Sequence, residues 1–305
     1  MNRSLLFTVG VGLVSGVLFA GMSMATPLAL VTGYFIPLPL LVVGLSLGAK
    51  AGAIAGASAL VVVVAAAGLS AALIFMALFA LPALVLVRQS LLFRSAEGST
   101  EWYPPGLIVS DVTRAALSVV VISLVIAILG TGSADLAAEL RGFIEQALMS
   151  LPVEMSDEEF SVNAANLARW MPGFVAVSWV LMILLNGVVA QWLVTRSNAA
   201  QRPNPLLRDI TIPTWWYPIA GGGIVAFLIS AGSVQILASA CMMLALLPIG
   251  FQGLAVVHTL AAKTNMRIFV LIMFYFAAMA FLPILFGLFI LGTADSFAQL
   301  RRRMS

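Results

Sequence analysis

SLLFTVGVGLVSGVLFAGMSMATPLALVTGYFIPLPLLVVGLSLGA, residues 4–49, contains no Asp, Glu, Lys, Arg or His. A helix in water needs a polar face, and this stretch has none to offer. Each crossing of a bilayer takes about 20 apolar residues. The stretch therefore holds two transmembrane helices, near 4–23 and 28–48. The whole chain repeats the message, with 62% hydrophobic residues, 9% charged residues and a mean hydropathy of +1.11 over 305 residues. Soluble domains carry about 25% charged residues. Hydrocarbon, not water, must surround most of this surface, and in hydrocarbon every backbone polar group has to be satisfied internally. The expected fold is all-α, a polytopic transmembrane helical bundle of about eight to ten membrane segments.

Outward from residue 49, charges punctuate the chain. Lys50 to Arg88 has room for two short crossings, near 52–69 and 70–88. A polar loop to Pro105 follows, with Glu97, Glu101 and the turn-forming Pro104-Pro105. A fifth helix is predicted over 107–129, a sixth over 170–194, two more between 210 and 262, and a last apolar segment over 268–293 interrupted by Pro283. Trp215, Trp216 and Tyr217 stand where an aromatic belt belongs. The first residues imitate a signal peptide, but a second apolar segment follows at once, so the first helix is expected to stay uncleaved.

The segment 130–169 differs in kind. Asp135, Glu139, Glu145, Glu154, Asp157, Glu158 and Glu159 stand against Arg141, so it belongs in water. Leu136, Leu140, Phe143, Ile144 and Leu148 recur at helical spacing and give one apolar stripe. Ser156 and Glu159 fit a capping box, with Met155 and Phe160 as its hydrophobic staple, which starts a second helix at Asp157. Three segments follow: N-terminal membrane helices over 1–129, an acidic extracytoplasmic hairpin over 130–169 that is a lid or an inert appendage, and C-terminal membrane helices with a basic tail over 170–305.

Basic residues orient a membrane protein. A cytoplasmic N-terminus puts Lys50, Arg88, Arg94, Arg196, Arg202, Arg208, Lys263 and Arg267 inside, and Arg141 and Arg169 outside. Nine full crossings would then place Arg301-Arg302-Arg303 outside, against the rule. Either the segment around Pro283 turns back as a re-entrant hairpin or pair of short helices, or the rule breaks there.

Chemistry-bearing residues are few. Gly44, Gly48, Gly52 and Gly56 recur every fourth position and make a smooth face for helix packing or a subunit interface. Thr26-Pro27 and the run Thr32-Gly33-Tyr34-Phe35-Ile36-Pro37-Leu38-Pro39 should break the second helix, and broken helices line substrate cavities. Asn186 and Gln191 put amides in the sixth helix, as Gln235 and Gln252 do further on. Such groups hydrogen-bond another helix or touch substrate. Thr32, Tyr34, Asn186 and Gln191 are the candidate substrate-binding residues. Asp111 and Arg114 should pair across one turn. His258 reads as interfacial rather than as a proton relay. No metal site, cofactor or catalytic residue is expected. Cys241 and His258 are each the single residue of their kind, no deep carboxylate suggests an acid relay, and the P-loop, HExxH and GxSxG patterns are missing. The net charge of +3 reflects basic flanks of membrane helices. No nucleic-acid partner is expected, since no basic patch alternates with aromatics.

The chain resembles the YybS-like family of uncharacterised bacterial integral membrane proteins, a domain of unknown function. The resemblance rests on Pro37-Leu38-Pro39 before the glycine ladder and on Trp170-Met171-Pro172 closing the acidic hairpin. It rests also on Gln252-Gly253-Leu254-Ala255 and on Leu291-Gly292 through Asp295 to Arg301-Arg302-Arg303. The N-terminal half is similar to the substrate-binding subunits of energy-coupling-factor transporters, which meet their coupling partner through small-residue helix faces. That resemblance implies a small molecule held between helices and an ATPase partner subunit. The expectation is a multi-pass protein of the bacterial inner membrane, with membrane lipids around it, that binds or transports a small molecule without its own ATPase. The alternative is a non-enzymatic structural or assembly subunit of a membrane complex.

Overall fold

The computed structural model describes residues 3–24, 26–96, 99–131, 133–149, 156–281 and 283–304. It is all-α apart from one small hairpin. Thirteen helices occur among these residues: α1 (Arg3–Gly21), α2 (Pro27–Gly33), α3 (Leu38–Leu47), α4 (Ala49–Phe75), α5 (Leu81–Ser90), α6 (Pro105–Thr131), α7 (Ser133–Met149), α8 (Asp157–Arg196), α9 (Trp216–Ile229), α10 (Gly232–Ala262), α11 (Arg267–Ala280), α12 (Pro283–Ala298) and α13 (Leu300–Met304). Strands β1 (Phe93–Ala96) and β2 (Ser99–Trp102) pair antiparallel between α5 and α6. Six helical stretches are long and apolar enough to cross a membrane. The outward faces of these and of the shorter apolar helices are apolar: Leu129 on α6 is 80% exposed, Ile229 on α9 80% and Met279 on α11 89%. That surface is stable only against lipid tails.

The chain forms two compact units, residues 1–108 with 181–206, and 109–180 with 207–305. Packing thus groups the chain differently from the composition-based segments 1–129, 130–169 and 170–305, because α6 and α8 each contribute residues to both units.

In the first unit the interrupted second helix is present. Thr26 caps α2, its hydroxyl accepting from the Ala29 amide, and turns at residues 34–37 separate α2 from α3. Gly48 then takes φ +96°, a conformation open to glycine, and turns the chain into α4. The stretch Ala49–Ser90 is one helical run by hydrogen bonding, yet Gly68 sits at φ 83° and ψ 178° and folds it back on itself. A β-carbon on Gly56 would lie 3.8 Å from that of Ala80. Twenty-four residues of straight helix would separate those two positions by about 36 Å. The two short crossings expected at 52–69 and 70–88 are therefore there, joined at Gly68. The glycine ladder packs inside this unit: Gly44 receives Val87, and Gly52 lies against Gly44. Gly12 and Gly16 extend the same principle to α1, where any side chain would strike the Ala55 carbonyl or Val62. Phe19, Phe75 and Phe79 complete the core with ring centroids 5.3 to 6.0 Å apart.

The second unit runs from an acidic end to a basic one. Along α7, Leu140, Ile144 and Leu148 pack on Ala164, Ala168 and Met171 of α8, as the apolar stripe predicts. Phe143 of that stripe stays 62% exposed. The capping box has formed, with the Ser156 amide donating to Glu159 Oε2 at 3.0 Å and the Glu159 amide to Ser156 Oγ at 3.3 Å. The staple residue Met155 lies outside the described residues. This hairpin touches the start of α10, where the Ala137 amide donates to Ser233 Oγ at 3.2 Å. The 31 residues of α10 then reach about 46 Å, more than the hydrocarbon core needs.

Beyond α10, α11 and α12 have only 14 and 16 residues, about 21 and 24 Å, as short as α9 with its 14. They form the pair of short helices around Pro283 that the sequence left as one alternative, and they bring the terminal arginines back beside Lys263 and Arg208. Of the three aromatic residues at the start of α9, Trp216 is fully buried with its indole N–H donating to Ser110 Oγ, and only Trp215 is exposed.

Candidate functional site

Close helix packing builds a buried polar network in the second unit. A side chain on Gly253 would collide with the Leu288 carbonyl, and one on Gly292 with the Ile249 carbonyl. Without those side chains α10 and α12 cross backbone to backbone. At that distance Gln252, fully buried, reaches α12: its Nε2 donates to Asp295 Oδ2 at 3.0 Å and to Ser296 Oγ at 2.6 Å. Its Oε1 accepts from the Ile212 amide at 3.0 Å. The amide thus saturates both its ends, which is what an amide at that depth requires.

Asp295 is equally engaged. After α12, Gln299 takes φ +50° and turns the chain sharply. Arg301 then returns to Asp295, its Nε 2.8 Å from Oδ2 and its backbone N–H 3.0 Å from Oδ1. The same guanidinium donates to the Arg208 carbonyl and the Thr211 hydroxyl. Tyr217 closes the network from α9, its hydroxyl 2.5 Å from Ser296 Oγ. One connected set of side chains therefore fixes the 207–212 loop, α9, α10, α12 and the C-terminal helix.

An open cavity of about 640 Å³ lies over this network. Four cations, Arg208, Lys263, Arg301 and Arg302, and two carboxylates, Asp209 and Asp295, line it. Thr211, Thr214, Thr259 and Ser296 add hydroxyls. The volume suits a small organic ligand. The sequence reading singled out Gln252 as an interhelical amide. It missed Asp295, Arg301 and Tyr217, since Asp and Arg six apart do not share a helix face and only the turn at Gln299 joins them.

The four candidate substrate residues lie in the first unit. Asn186 is buried, its Nδ2 2.8 Å from both the Tyr34 and the Met182 carbonyls, which brings Asn186 and Tyr34 together. Because both neighbours are acceptors, the amide orientation is fixed, and Oδ1 is left buried without a hydrogen bond among the described residues. Gln191 instead holds the next loop, donating to the Arg202 carbonyl at 3.1 Å and approaching Thr195. Thr32 turns its hydroxyl back to Leu28 and Ala29. The Arg202 guanidinium is buried over Trp102 and donates to the Ser90 carbonyl, and desolvation pushes its pKa down. Asp111 and Arg114 pair at 2.6 Å as their spacing predicts. Gln235 caps α9 through the Phe227 carbonyl, and His258 Nε2 lies 2.9 Å from the Tyr275 hydroxyl.

No curated protein and no solved structure matches the chain. Residues 13–296 match the family model described as predicted membrane protein, DUF2232. That match spans nearly every helix described above, and with the apolar spans it establishes that the chain belongs to DUF2232, a family of predicted membrane proteins.

Proposed function

We propose that this chain binds a small molecule in the cavity at the basic end of its second unit and transports it, or passes it to a partner subunit, without an ATPase of its own. The observation that carries this reading is the cavity itself. It is large enough for an organic ligand, and its floor is a fully bonded polar network in a chain otherwise built of apolar helices. Burying Gln252, Asp295 and Arg301 together gains little stability over apolar packing. Their presence at a cavity is better explained by a ligand.

The positive-inside rule makes the basic end cytoplasmic and the acidic hairpin extracytoplasmic, in a bacterial inner membrane. A likeness of the N-terminal half to the substrate subunits of energy-coupling-factor transporters would add a partner subunit that supplies the energy. The glycine ladder is packed inward, so the structural-subunit alternative would rest on the acidic hairpin. A second binding reading belongs to the first unit, where Asn186 keeps a buried acceptor with no partner beside the broken helix at Tyr34.

The test is a thermal-shift screen of the detergent-solubilised full chain against vitamins, nucleotides, lipids and amines. A true ligand at 100 times its Kd adds about 2.7 kcal/mol and raises Tm by several degrees. Gln252→Leu should abolish a shift that arises in the cavity, and Asn186→Ala one that arises in the first unit. No shift from any class would refute both.

A further inference from the structure

We infer that the ligand of this cavity is an anion bearing a phosphate group, recognised through Lys263 together with Arg208 and Arg302. The inference rests on the cavity being the binding site proposed above. Charge is the first argument. Four cations face the cavity against two carboxylates, and one of those carboxylates is already neutralised. Asp295 uses Oδ1 for the Arg301 amide and Oδ2 for Arg301 Nε and Gln252 Nε2, so both its oxygens are engaged and its charge is met by Arg301. Asp209 reaches Arg208 only at 4.0 Å, with both side chains more than half exposed, a geometry of little energetic weight.

The Lys263 ammonium makes no ion pair among the described residues. It stands just past the end of α10, whose carbonyl pole contributes about half a negative charge, as the end of α12 does. Those two poles offset about one of the two surplus positive charges, and the cavity stays positive. The second argument is the donor set. Thr211, Thr214 and Ser296 line the same space, and hydroxyls beside ammonium and guanidinium groups match a phosphate's several oxygens better than a single carboxylate. The phosphate can come from a soluble metabolite or from a lipid headgroup.

Isothermal titration of the full chain in maltoside detergent separates the sources. The probes are inorganic pyrophosphate and dihexanoyl phosphatidylglycerol, with dihexanoyl phosphatidylcholine as the zwitterionic control. Binding of pyrophosphate alone identifies a soluble phosphate, binding of phosphatidylglycerol alone a lipid headgroup, and binding of both a site that reads the phosphate itself. In each case Lys263→Met should weaken binding about tenfold, Arg208→Gln similarly, and Lys263→Arg less than threefold, while Arg267→Met outside the cavity changes nothing. Binding of neither anion above the control would overturn the inference, as would equal losses in Lys263→Met and Arg267→Met. If the anions fail but a neutral or cationic compound gives a thermal shift that Gln252→Leu removes, the cavity site stands and its anion selectivity falls. If nothing binds at all, both fall.

Discussion

Gly68 and Asp295 show how single residues carry this structure. At φ 83° and ψ 178° Gly68 occupies a region nearly closed to other residues. Gly68→Ala should cost about 1–3 kcal/mol, read as a lower Tm in detergent by circular dichroism. Gly10→Ala, whose side chain would meet nothing within 4 Å, should leave Tm unchanged. Asp295→Ala leaves Arg301, whose side chain is only 16% exposed, without its carboxylate and should lower Tm. Asp295→Asn keeps the shape and should cost less. An equal Tm for wild type and Asp295→Ala would mean that the network holds nothing together. Sequence pattern made the reversal near residue 69 legible, because 39 residues from Lys50 to Arg88 hold two short crossings at about 20 each. It could not make Asp295 legible, because the partner of that carboxylate arrives through a turn and not through helical spacing.

Helix packing here is set by small residues that let backbones touch. Gly253 and Gly292 meet at the crossing of α10 and α12 and so bring Gln252 within reach of Asp295. Gly253→Val should force the two helices apart. The expected result is a lower Tm together with loss of any ligand-induced shift, whereas Gly287→Ala, whose β-carbon would meet nothing within 4 Å, should alter neither. The sequence displayed the ladder at Gly44 to Gly56 because four glycines recur in register. The pairs Gly12–Gly16 and Gly253–Gly292 carry the same physics with no such repetition, so they emerge only from contacts.

At the acidic end the capping box gives α8 its start. The Ser156 amide and hydroxyl, in that order, hold the Glu159 carboxyl below its ordinary value of 4.5. A lowered folded pKa means that the contribution is fully present above the ordinary value and is lost as pH falls through the lowered one. Amide hydrogen exchange corrected for intrinsic rates should show residues 158–160 opening more as pH drops through that window. Ser156→Ala should already raise opening at neutral pH and should flatten the pH response.

Taken as a whole, the chain is stable only if hydrocarbon covers its outer faces. Met279 and Leu129 are nearly fully exposed, and α11 buries no residue. Within the second unit, α10 separates the hairpin that carries Ser233's partner Ala137 from the cavity lined by Lys263. Composition alone announced the membrane. The one point at which the expectations conflicted, the C-terminal arginines, is met by the break before Pro283, after which α12 returns the chain to Lys263.

Labelling of single cysteines in intact cells and in opened membranes tests the transmembrane arrangement most directly. In a Cys241→Ser background, Val162→Cys lies on the hairpin helix and Met266→Cys in the turn beyond Lys263, both more than half exposed. A membrane-impermeant maleimide should modify the cysteine at 162 from outside and reach the one at 266 only after the membrane is opened. Modification of both from the same side, or recovery of the chain in the soluble fraction, would contradict a bundle that spans the bilayer between its acidic and basic ends.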